Sequence, residues 1–445
     1  MTDEIAAVST AAGTGGVAII RISGTAPEKI AEQMFFTKSG KKVSEFEPYK
    51  MYVGEIRAKD FCDNGMCVFF KAPKSFTGEN VVELHCHGGV AITRGVLNRA
   101  FELGARPATK GEFTKRAFLN GKLSLSSCEG LIDMINSESE TQIRSGYYLF
   151  REKLKNKIIS AQNELTDVLA EIDANIDYPE EGLIDEGGEE IKNKLKITAA
   201  KLEELKISYS SGRLISDGVK VALIGKTNTG KSSLLNALTG EEKAIVTSVA
   251  GTTRDVVEGK TLIGGVKFDF YDTAGIRETN DEVEKIGIAR SEKLIDGADF
   301  LIFVADGSRE ISQDELELLN KVKEKNHIVV INKSDELISG AGLAGDLTVS
   351  AKTGKNITEL KQLILQKTAG KTDLNGEYIT EKRHYIAICE ALDSLERAIK
   401  AIDEYPMDLV SCDIKQSWEK LGEITGTTAS EDVIEQIFAK FCVGK

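Results

Sequence analysis

The sequence predicts a multidomain protein with an α+β N-terminal domain, a discontinuous α-helical domain, and an inserted α/β domain that carries a phosphate-binding loop. Three observations support this fold class. The chain has 445 residues, whereas an ordinary domain has about 150. Its apolar pattern changes from short β-branched runs to helical spacing, and later a glycine-rich loop follows a buried run. We therefore place the domain boundaries at residues 1–120, 121–214, 215–370 and 371–445, with the second and fourth ranges as halves of one helical domain.

The composition is that of a globular, helix-rich chain, with 41% hydrophobic and 29% charged residues. Residues 1–4 do not resemble a signal peptide, and no stretch reaches the roughly 18 apolar residues of a membrane span, so we expect a cytoplasmic protein that is not in a membrane. Seven scattered cysteines fit a reducing compartment. Because 57 Lys and Arg face 70 Asp and Glu, the net charge of -13 argues against nucleic-acid binding by broad phosphate neutralisation.

Short β-branched runs dominate the first 120 residues and predict strands at 17–22, 51–56 and 67–70. From Leu131 to Ile176 the pattern changes to apolar residues at steps of three and four, which predicts one long amphipathic helix. A second helix is predicted through Leu195, Leu202 and Leu205. Between the two helices, an acidic stretch is expected to form a solvated loop rather than a binding site.

Three buried runs predict strands of the inserted domain, at 219–224, 300–304 and 328–331. The first run ends in a glycine loop and precedes a helix, and the other two are also followed by helical patterns. Strands connected by helices pair in parallel. We therefore expect a mostly parallel sheet that begins near residue 215.

One edge of this sheet is predicted to be antiparallel. Gly264 and Gly265 separate short strand patterns at 261–263 and 266–271, which is the signal of a two-residue type I′ hairpin. After residue 370 only helical spacing is found, through 386–399 and again from 418 to 441. The simplest architecture therefore inserts the α/β domain between the two helical halves.

The segment Gly225–Ser232 matches the phosphate-loop pattern G-x-x-x-x-G-K-[ST], between a predicted strand and a predicted helix. The glycines allow backbone N–H groups to surround phosphates, and Lys231, our first catalytic candidate, can neutralise the β- and γ-phosphates. The hydroxyl of Ser232 can reach Mg²⁺. A chance glycine turn is the alternative, and two further motifs in the right order make it negligible.

Those two motifs identify the nucleotide. Asp272–Gly275 ends the second hairpin strand, where Asp272 can hold the magnesium shell and Gly275 N–H can approach the γ-phosphate. Asn332–Asp335 ends another strand, and Asp335 can accept hydrogen bonds from guanine groups that adenine lacks. The sequence therefore predicts a site for GTP and GDP with Mg²⁺. Its candidate residues from the motifs are Asn228, Thr229, Gly230, Lys231, Ser232, Ser233, Asp272, Thr273, Ala274, Gly275, Asn332, Lys333, Ser334, Asp335, Ser350, Ala351 and Lys352.

These motifs resemble the translation-factor-like class of P-loop GTPases, and Gly251–Asp255 is similar to their switch I threonine motif. Ile276 and Arg277 stand where some GTPases place a water-orienting glutamine. Asn228 has the position that helps to bind potassium in similar GTPases, and 244–253 resembles their potassium loop. The resemblance implies that K⁺ supplies the positive charge of an arginine finger. A simple loop cap at Asn228 is the alternative.

Segments along the whole chain carry a more specific resemblance. They are Gly13–Gly24, Ser75–Glu79, Glu83–Gly89, Gly111–Asn120, Asp272–Gly287 and the C-terminal Cys442–Lys445. These segments resemble the MnmE (TrmE) family of GTPases that modify wobble uridines of tRNA. The resemblance implies a homodimer with a folate-binding N-terminal domain, which joins the FAD-dependent MnmG in a heterotetramer and binds tRNA mainly through that complex. The pair would add an aminomethyl or carboxymethylaminomethyl group at C5, using a tetrahydrofolate derivative in the 5-formyl or methylene form.

The same resemblance implies roles for individual residues. Potassium would be held by Asn228, Thr247, Val249 and Thr252, magnesium by Ser232 and Thr253, with Ser248, Ala250 and Gly251 also near GTP. Glu284 would position the attacking water. Folate would contact Arg21, Glu83 and Lys122, with Lys445 nearby; Arg21 and Lys122 can pair with the glutamate tail, and Glu83 can accept hydrogen bonds from the pterin. Cys442 is a possible nucleophile that could add to C6 of a uridine, although we favour a buried structural thiol.

Two other functions fit parts of the sequence. One is a ribosome-assembly GTPase, a switch without modification chemistry, but such chains usually carry a basic RNA-binding module. The G-x-x-G match at Gly13–Gly16 precedes a buried-looking strand with only Arg21 nearby, so clamping of RNA as in a KH domain is improbable. The other is a folate enzyme of the aminomethyltransferase kind with a passenger G domain. Glycine-dependent folate turnover without GTP would support it.

Overall fold

The computed structural model describes residues 3–177, 188–240, 259–272, 296–337, 344–370 and 377–445. The chain forms two compact units. The first consists of residues 1–135, 146–203 and 386–445, and the second of residues 136–145 and 204–385. Both units are therefore discontinuous in the sequence. None of the helices within the described ranges is long and apolar enough to cross a membrane.

A seven-stranded sheet forms the N-terminal part of the first unit. Its strands are β1 (Ile5–Val8), β2 (Gly15–Gly24), β3 (Phe35–Thr37), β4 (Met51–Arg57), β5 (Cys62–Phe70), β6 (Asn80–Gly88) and β7 (Arg106–Pro107). They are ordered 3-4-5-6-2-1-7 across the sheet. The three predicted strands are confirmed as parts of β2, β4 and β5. Antiparallel pairing of β2 with β6 places Arg21 directly opposite Glu83.

Side-chain alternation along these strands gives the sheet one apolar face. Ile20, Ile22 and Leu84 are fully buried and pack with residues of α1 (Pro27–Ala31) and α2 (Val90–Glu102). Since successive side chains of a strand point to opposite faces, Arg21 and Glu83 belong to the other face. Two charged side chains are thus presented where α1 and α2 do not cover the sheet.

After the sheet, the described ranges 108–177 and 188–216 contain five helices. They are α3 (Glu112–Leu119), α4 (Leu125–Asn136), α5 (Glu140–Phe150), α6 (Lys153–Asp177) and α7 (Glu189–Ser216). The helix predicted through Leu195, Leu202 and Leu205 is confirmed as α7, and these three residues are buried. Residues 178–187, most of the predicted acidic loop, lie outside the described residues.

The prediction of one continuous helix from Leu131 to Ile176 is wrong, because the chain is divided there into α4, α5 and α6. At the first break, Ser139 Oγ accepts a hydrogen bond from the Gln142 N–H at 3.2 Å and thereby caps the start of α5. At the second break, Glu152 has a φ of 58°, a left-handed conformation typical of helix ends. The apolar spacing missed both breaks because its clearest part, from Leu154 onward, lies in α6 alone.

The second unit is built on a six-stranded sheet. Its strands are β8 (Val219–Ile224), β9 (Gly259–Ile263), β10 (Val266–Asp272), β11 (Phe300–Asp306), β12 (His327–Asn332) and β13 (Leu347–Thr348), ordered 13-12-11-8-10-9. The described helices of this part are α8 (Lys231–Thr239), α9 (Gln313–Val322) and α10 (Ile357–Ala369). Within the described segments of this unit the strands form five pairs, of which only β9 with β10 is antiparallel. The predicted mostly parallel sheet with one antiparallel edge is confirmed.

The predicted hairpin is formed by β9 and β10. Gly264 and Gly265 have φ values of 58° and 83°, the two positive angles that a type I′ turn requires. Phe268 and Phe270 are fully buried in the core that this face shares with α8 and α10. Because β10 lies parallel to β8, its last residue, Asp272, stands level with Leu223 near the end of β8. The carboxyl edge of the sheet therefore collects the loops that carry the motifs.

Three C-terminal helices return to the first unit. They are α11 (Lys382–Ala401), α12 (Met407–Thr425) and α13 (Glu431–Ala439). Gln162 of α6 donates a hydrogen bond to the Trp418 carbonyl of α12 at 3.0 Å. Ile437 and Phe438 of α13 pack against Leu125 of α4. Helices that precede the second unit in the sequence thus pack with helices that follow it in one helical core, as the predicted fold class requires.

A buried ion-pair cluster joins α3 to the N-terminal sheet. The Arg116 side chain is 2% exposed and pairs with Glu79 at 3.1 Å, Glu112 at 3.2 Å and Asp3 at 2.9 Å. Burial alone raises the pKa of the Glu112 carboxyl, but hydrogen bonds from Arg106, the Thr109 N–H and Arg116 outweigh it and lower the pKa to about 2. Glu112 is therefore ionised near neutral pH.

We expect Arg116→Ala to destabilise the N-terminal sheet by about 3–5 kcal/mol, because it removes the ion pair of the partly buried Glu79 and one of the two arginines that hold the buried Glu112. Arg99→Ala, which removes the more exposed pair between Arg99 and Glu102, should cost less than about 1 kcal/mol. Native-state hydrogen exchange of the β2 and β6 amides measures both effects. Equal effects of the two variants would show that the buried cluster stabilises the sheet no more than the exposed pair does.

The stability should also depend on pH. Since folding lowers the pKa of Glu112, this carboxylate stabilises the fold above its unfolded pKa of about 4.3, and the stabilisation is lost as the pH falls toward 2.

Candidate functional site

A glycine loop connects β8 to α8 at the carboxyl edge of the second sheet. Gly230, which directly precedes α8, has a φ of 86°. A side chain there would also collide with the amide of Asn332, so this position requires glycine for its conformation and for its close approach. Asn228 is exposed and has a left-handed φ of 63°. Among the described residues no side chain caps α8, and its first backbone N–H groups are therefore open to an anion with respect to this part of the chain.

Lys231 is the first residue of α8 and is 4% exposed. Its Nζ donates hydrogen bonds to the carbonyls of Gly225 at 2.7 Å and Lys226 at 2.8 Å, so the ammonium lies across the loop. Burial lowers the pKa of Lys231, and the nearby Asp272 carboxylate offsets part of this effect. A buried cation beside a helix N-terminus is the arrangement that binds phosphate groups.

Ser232 and Asp272 meet beside this loop. Ser232 Oγ donates to Asp272 Oδ2 at 2.7 Å, and Asp272 is 5% exposed. Within the described ranges no group of three His, Cys, Asp or Glu side chains could hold a metal. One hydroxyl and one carboxylate nevertheless fit Mg²⁺, which takes oxygen ligands and keeps waters and phosphate oxygens around it.

The buried side chain of Asn332 connects the phosphate loop to the neighbouring loops. Its Nδ2 donates to the Thr229 carbonyl at 3.0 Å, and its Oδ1 accepts from the Ala351 N–H at 3.0 Å. Asn332 is 2% exposed and ends β12, whereas Ala351 follows β13. One amide therefore fixes the first and last predicted motifs relative to each other.

Asp335 lies in the same loop, three residues after Asn332. Its Oδ1 accepts from Ser350 Oγ at 2.6 Å, and its Oδ2 is 3.9 Å from the ammonium of Lys352. The hydrogen bond from Ser350 lowers the pKa of Asp335. The backbone of Asp335 and the charges of Lys352 and Lys333 lower it further, by smaller amounts. The carboxylate is thus charged and partly open to solvent, as an acceptor for a nucleobase must be. Ser350 and Lys352 both contact it, and their role around a base stays a prediction.

The sequence analysis missed Asp306. This residue ends β11, and its Oδ2 accepts from Lys333 Nζ at 2.6 Å. A signal was present, because Asp306 is an acidic residue at the carboxyl end of a buried parallel strand, where α/β sheets bind ligands. Lys226 was also passed over as an unspecified loop position, yet it contacts Ser312 and Asp314 at the start of α9.

Several predicted site residues lie outside the described residues. They are Thr247, Ser248, Val249, Ala250, Gly251, Thr252, Thr253, Thr273, Ala274, Gly275 and Glu284. Of the predicted potassium ligands only Asn228 is described, and of the magnesium ligands only Ser232. The roles assigned to the others stay predictions.

The N-terminal unit holds a second candidate site around Arg21 and Glu83. Both Nε and a terminal nitrogen of Arg21 lie 2.8 Å from Glu83 Oε1, and His85 Nε2 lies 3.5 Å from Glu83 Oε2. The guanidinium is 5.4 Å from the ring centre of Phe76 and 5.6 Å from that of Phe113. Burial raises the pKa of Glu83, but His85 and Arg21 outweigh burial and lower it. Glu83 is thus an ionised acceptor between two cationic or polar groups.

The structure joins Arg21 and Glu83, which the sequence analysis assigned to opposite ends of folate. Lys122 Nζ donates to the Pro73 carbonyl at 3.1 Å, in the loop that also holds Phe76. The C-terminal tail lies on the same unit, since Val443 bridges to Lys110 and the Gly444 carbonyl accepts from Ser9 Oγ at 3.2 Å. This docking fixes the tail that ends in Lys445 on the N-terminal part of the chain. Cys442 is exposed, so the expectation of a buried structural thiol is wrong.

Comparison with protein families matches two models to nearly the whole chain. The model described as the N-terminus of the GTP-binding protein TrmE matches residues 4–122. The model described as the MnmE helical domain matches residues 125–442. Relatives named tRNA modification GTPase MnmE cover 100% of this chain and 99% of their own length, with 38% identity in Natranaerobius thermophilus, 40% in Acetivibrio thermocellus and 36% in Clostridioides difficile.

Among solved structures, the chain is similar to a variant of Aquifex aeolicus Era bound to GDP and aluminium fluoride. That match is 26% identical, covers 40% of this chain and 66% of Era, and has a TM-score of 0.28. The G domain of the Thermotoga maritima FeoB iron transporter is 29% identical over 34% of this chain and 98% of that domain, with a TM-score of 0.25.

Proposed function

The chain belongs to the MnmE family of tRNA modification GTPases, and from this premise we propose a potassium-dependent GTPase that works with the FAD-dependent protein MnmG. The pair modifies C5 of the wobble uridine of certain tRNAs and adds an aminomethyl or carboxymethylaminomethyl group with a folate one-carbon unit. The observation that carries the nucleotide part is the convergence of Lys231, Ser232, Asp272 and Asp335 around loops that Asn332 holds together.

In this proposal the phosphate loop and the first turn of α8 bind the phosphates of GTP. Lys231 is already buried beside the loop, and its ammonium needs only to exchange two carbonyl partners for phosphate oxygens. Ser232 and Thr253 would bind Mg²⁺, and Asp272 would hold its shell through water. The metal ion would supply positive charge beside the β- and γ-phosphates. Asp335 accepts from guanine, and Ser350, Ala351 and Lys352 border the base.

The proposed potassium ion would neutralise part of the negative charge of the phosphates. Asn228 supports this part, because it is exposed in the phosphate loop with a left-handed backbone. Thr247, Val249 and Thr252 would supply the remaining ligands, and Glu284 would position the attacking water. A monovalent cation in this place does electrostatically what an arginine finger does in other GTPases.

The proposed folate site uses Arg21, Glu83 and Lys122, with Lys445 nearby. An ionised Glu83 suits the N–H groups of a pterin, which donate hydrogen bonds. The aromatic rings near Arg21 suit a flat heterocycle, since such rings stack on each other and on guanidinium. Because Arg21 is engaged by Glu83, we now assign it to orienting that carboxylate, and leave the glutamate tail to Lys122 and Lys445. Folate, when bound, supplies the one-carbon unit.

The proposed assembly is a homodimer joined to MnmG in a heterotetramer, with tRNA bound mainly through the complex. The net charge of -13 supports this division, since each phosphate contact needs a basic side chain. We also propose that the functional domains are residues 1–120, 121–214, 215–370 and 371–445, with the third as the G domain.

We expect GTP hydrolysis to be at least about tenfold faster in K⁺ than in Na⁺ at equal ionic strength, because the cage must match the size of the cation. Asn228→Ala should remove this preference and leave GDP binding nearly unchanged. Asn236→Ala, an exposed asparagine of α8, is the matched control and should keep the preference. Steady-state phosphate release measures all three. Equal rates in both salts for the unaltered chain would contradict the potassium assignment.

Asp335→Asn should move the base preference from guanine to xanthine. Xanthine presents an O2 acceptor where guanine presents an amino donor, and an asparagine amide can donate to it. We expect GDP affinity to fall by about tenfold or more. Competition of GDP and xanthosine diphosphate for a fluorescent nucleotide measures the change.

Glu336→Gln is the control for the Asp335 experiment, because Glu336 contacts the same Lys352 at 3.7 Å. It should retain the guanine preference. An Asp335→Asn variant that still prefers GDP would show that the base is bound elsewhere.

A further inference from the structure

A chain of ion pairs and hydrogen bonds links the loop that carries Lys333 and Asp335, here called the base loop, to the phosphate loop. This chain does not involve Asn332. It runs through Lys333, Asp306, Arg309, Glu315, Ser312 and Lys226, and we name these six residues the 306–315 relay. Four of them lie between the end of β11 and the first turn of α9. None was singled out by the sequence analysis except Lys333.

At the base end, both oxygens of Asp306 are engaged. Lys333 Nζ donates to Oδ2 at 2.6 Å, and Ser308 donates to Oδ1 from its N–H at 3.0 Å and from its hydroxyl at 2.6 Å. The Asp306 side chain is 6% exposed and that of Lys333 is 32% exposed. A charge-assisted bond with one buried partner has little freedom to shift. Asp306 thus fixes the side chain of the residue that follows Asn332.

In the middle of the relay, Arg309 connects two carboxylates. It lies 3.7 Å from Asp306 Oδ2 and forms two bonds to Glu315, at 2.7 and 2.8 Å. Glu315 is 2% exposed and accepts from both the N–H and the hydroxyl of Ser312, at 3.0 and 2.9 Å, in a capping box that starts α9. The two bonds between Arg309 and Glu315 form the bidentate arrangement in which arginine–carboxylate pairs are strongest.

At the phosphate end, the relay reaches the loop that holds Lys231. Lys226 Nζ donates to Ser312 Oγ at 3.0 Å and to Asp314 at 2.8 Å. The carbonyl of Lys226 accepts one of the two hydrogen bonds of Lys231. A displacement of α9 would therefore be transmitted to the loop that carries the buried ammonium.

We propose that Asp306 is a positioning residue for guanine recognition, which acts through Lys333 to set where Asp335 presents its carboxylate. Asn332 holds the start of the loop, Asp306 holds Lys333, and Asp335 follows two residues later. Together with the hydrogen bond from Ser350 Oγ to Asp335 Oδ1, these two restraints set the position of the carboxylate relative to the phosphate loop. This inference rests on the proposed role of Asp335 in reading guanine.

The test compares the affinities of GDP and inosine diphosphate, which lacks the 2-amino group that Asp335 is proposed to bind. We expect the full chain to bind GDP about tenfold more tightly, the ratio for a hydrogen bond to a charged group. Asp306→Asn keeps the shape and an acceptor for Ser308 but loses the ion pair with Lys333. Its ratio should fall by about threefold or more, because a displaced Asp335 no longer distinguishes the two bases.

Asp296→Asn is the matched control, since Asp296 forms an exposed pair with Lys325 at 2.7 Å in the same unit. Its ratio should equal that of the unaltered chain. Lys333→Met removes the same ion pair from its more exposed side, and adding Asp306→Asn to it should change the ratio no further. If Asp306→Asn does not fold, Lys333→Met alone, which removes the same ion pair, should also lower the ratio.

A ratio that Asp306→Asn leaves unchanged, or equal weakening of both nucleotides, would overturn the role of Asp306 and leave the base pocket intact. A further fall in the ratio on adding Asp306→Asn to Lys333→Met would also overturn it, because Asp306 would then act by another route. A ratio near one in the unaltered chain would overturn the assignment of Asp335, and this inference with it.

Discussion

One buried amide, that of Asn332, joins the loops on which the nucleotide site depends. It donates to the phosphate loop at Thr229 and accepts from the loop that follows β13 at Ala351. A main-chain acceptor left unpaired in this position would cost about 1–3 kcal/mol. The same amide lies so close to Gly230 that no larger residue fits there. The Asn332 side chain therefore links the conformation of the phosphate loop to the start of α8 and to the loops that follow β12 and β13.

Much of the second unit follows from sequence because its signals are local. The run at 219–224 is β8 residue for residue, and the Gly264-Gly265 pair forms the predicted turn because both angles must be positive. The motif residues Ser232 and Asp272 meet because strand order is set by parallel pairing of β8 with β10. Spacing could not show that Asp306 holds Lys333, because that contact depends on the neighbouring positions of β11 and β12 in the sheet.

In the helical part, the apolar spacing could not predict where the helices end. The breaks at Ser139 and Glu152 depend on a single capping hydroxyl and a single left-handed residue, and neither alters the apolar spacing of α6. In the N-terminal sheet, the face shared by Arg21 and Glu83 follows from alternation, but their pairing depends on the register of β2 against β6, two strands far apart in sequence. Family resemblance named these residues, and only the fold shows that they contact each other.

The central claim is that this chain is the GTP-driven half of a tRNA-modifying pair. The most direct measurement is mass spectrometry of nucleosides from unmodified tRNA incubated with the chain, with MnmG, and with both. We expect no modified wobble uridine from the chain alone, and modification by the pair only when GTP, K⁺ and a folate one-carbon donor are all present, with Lys231→Ala as the inactive control. Robust modification by this chain alone, or by the pair without GTP, would contradict the claim.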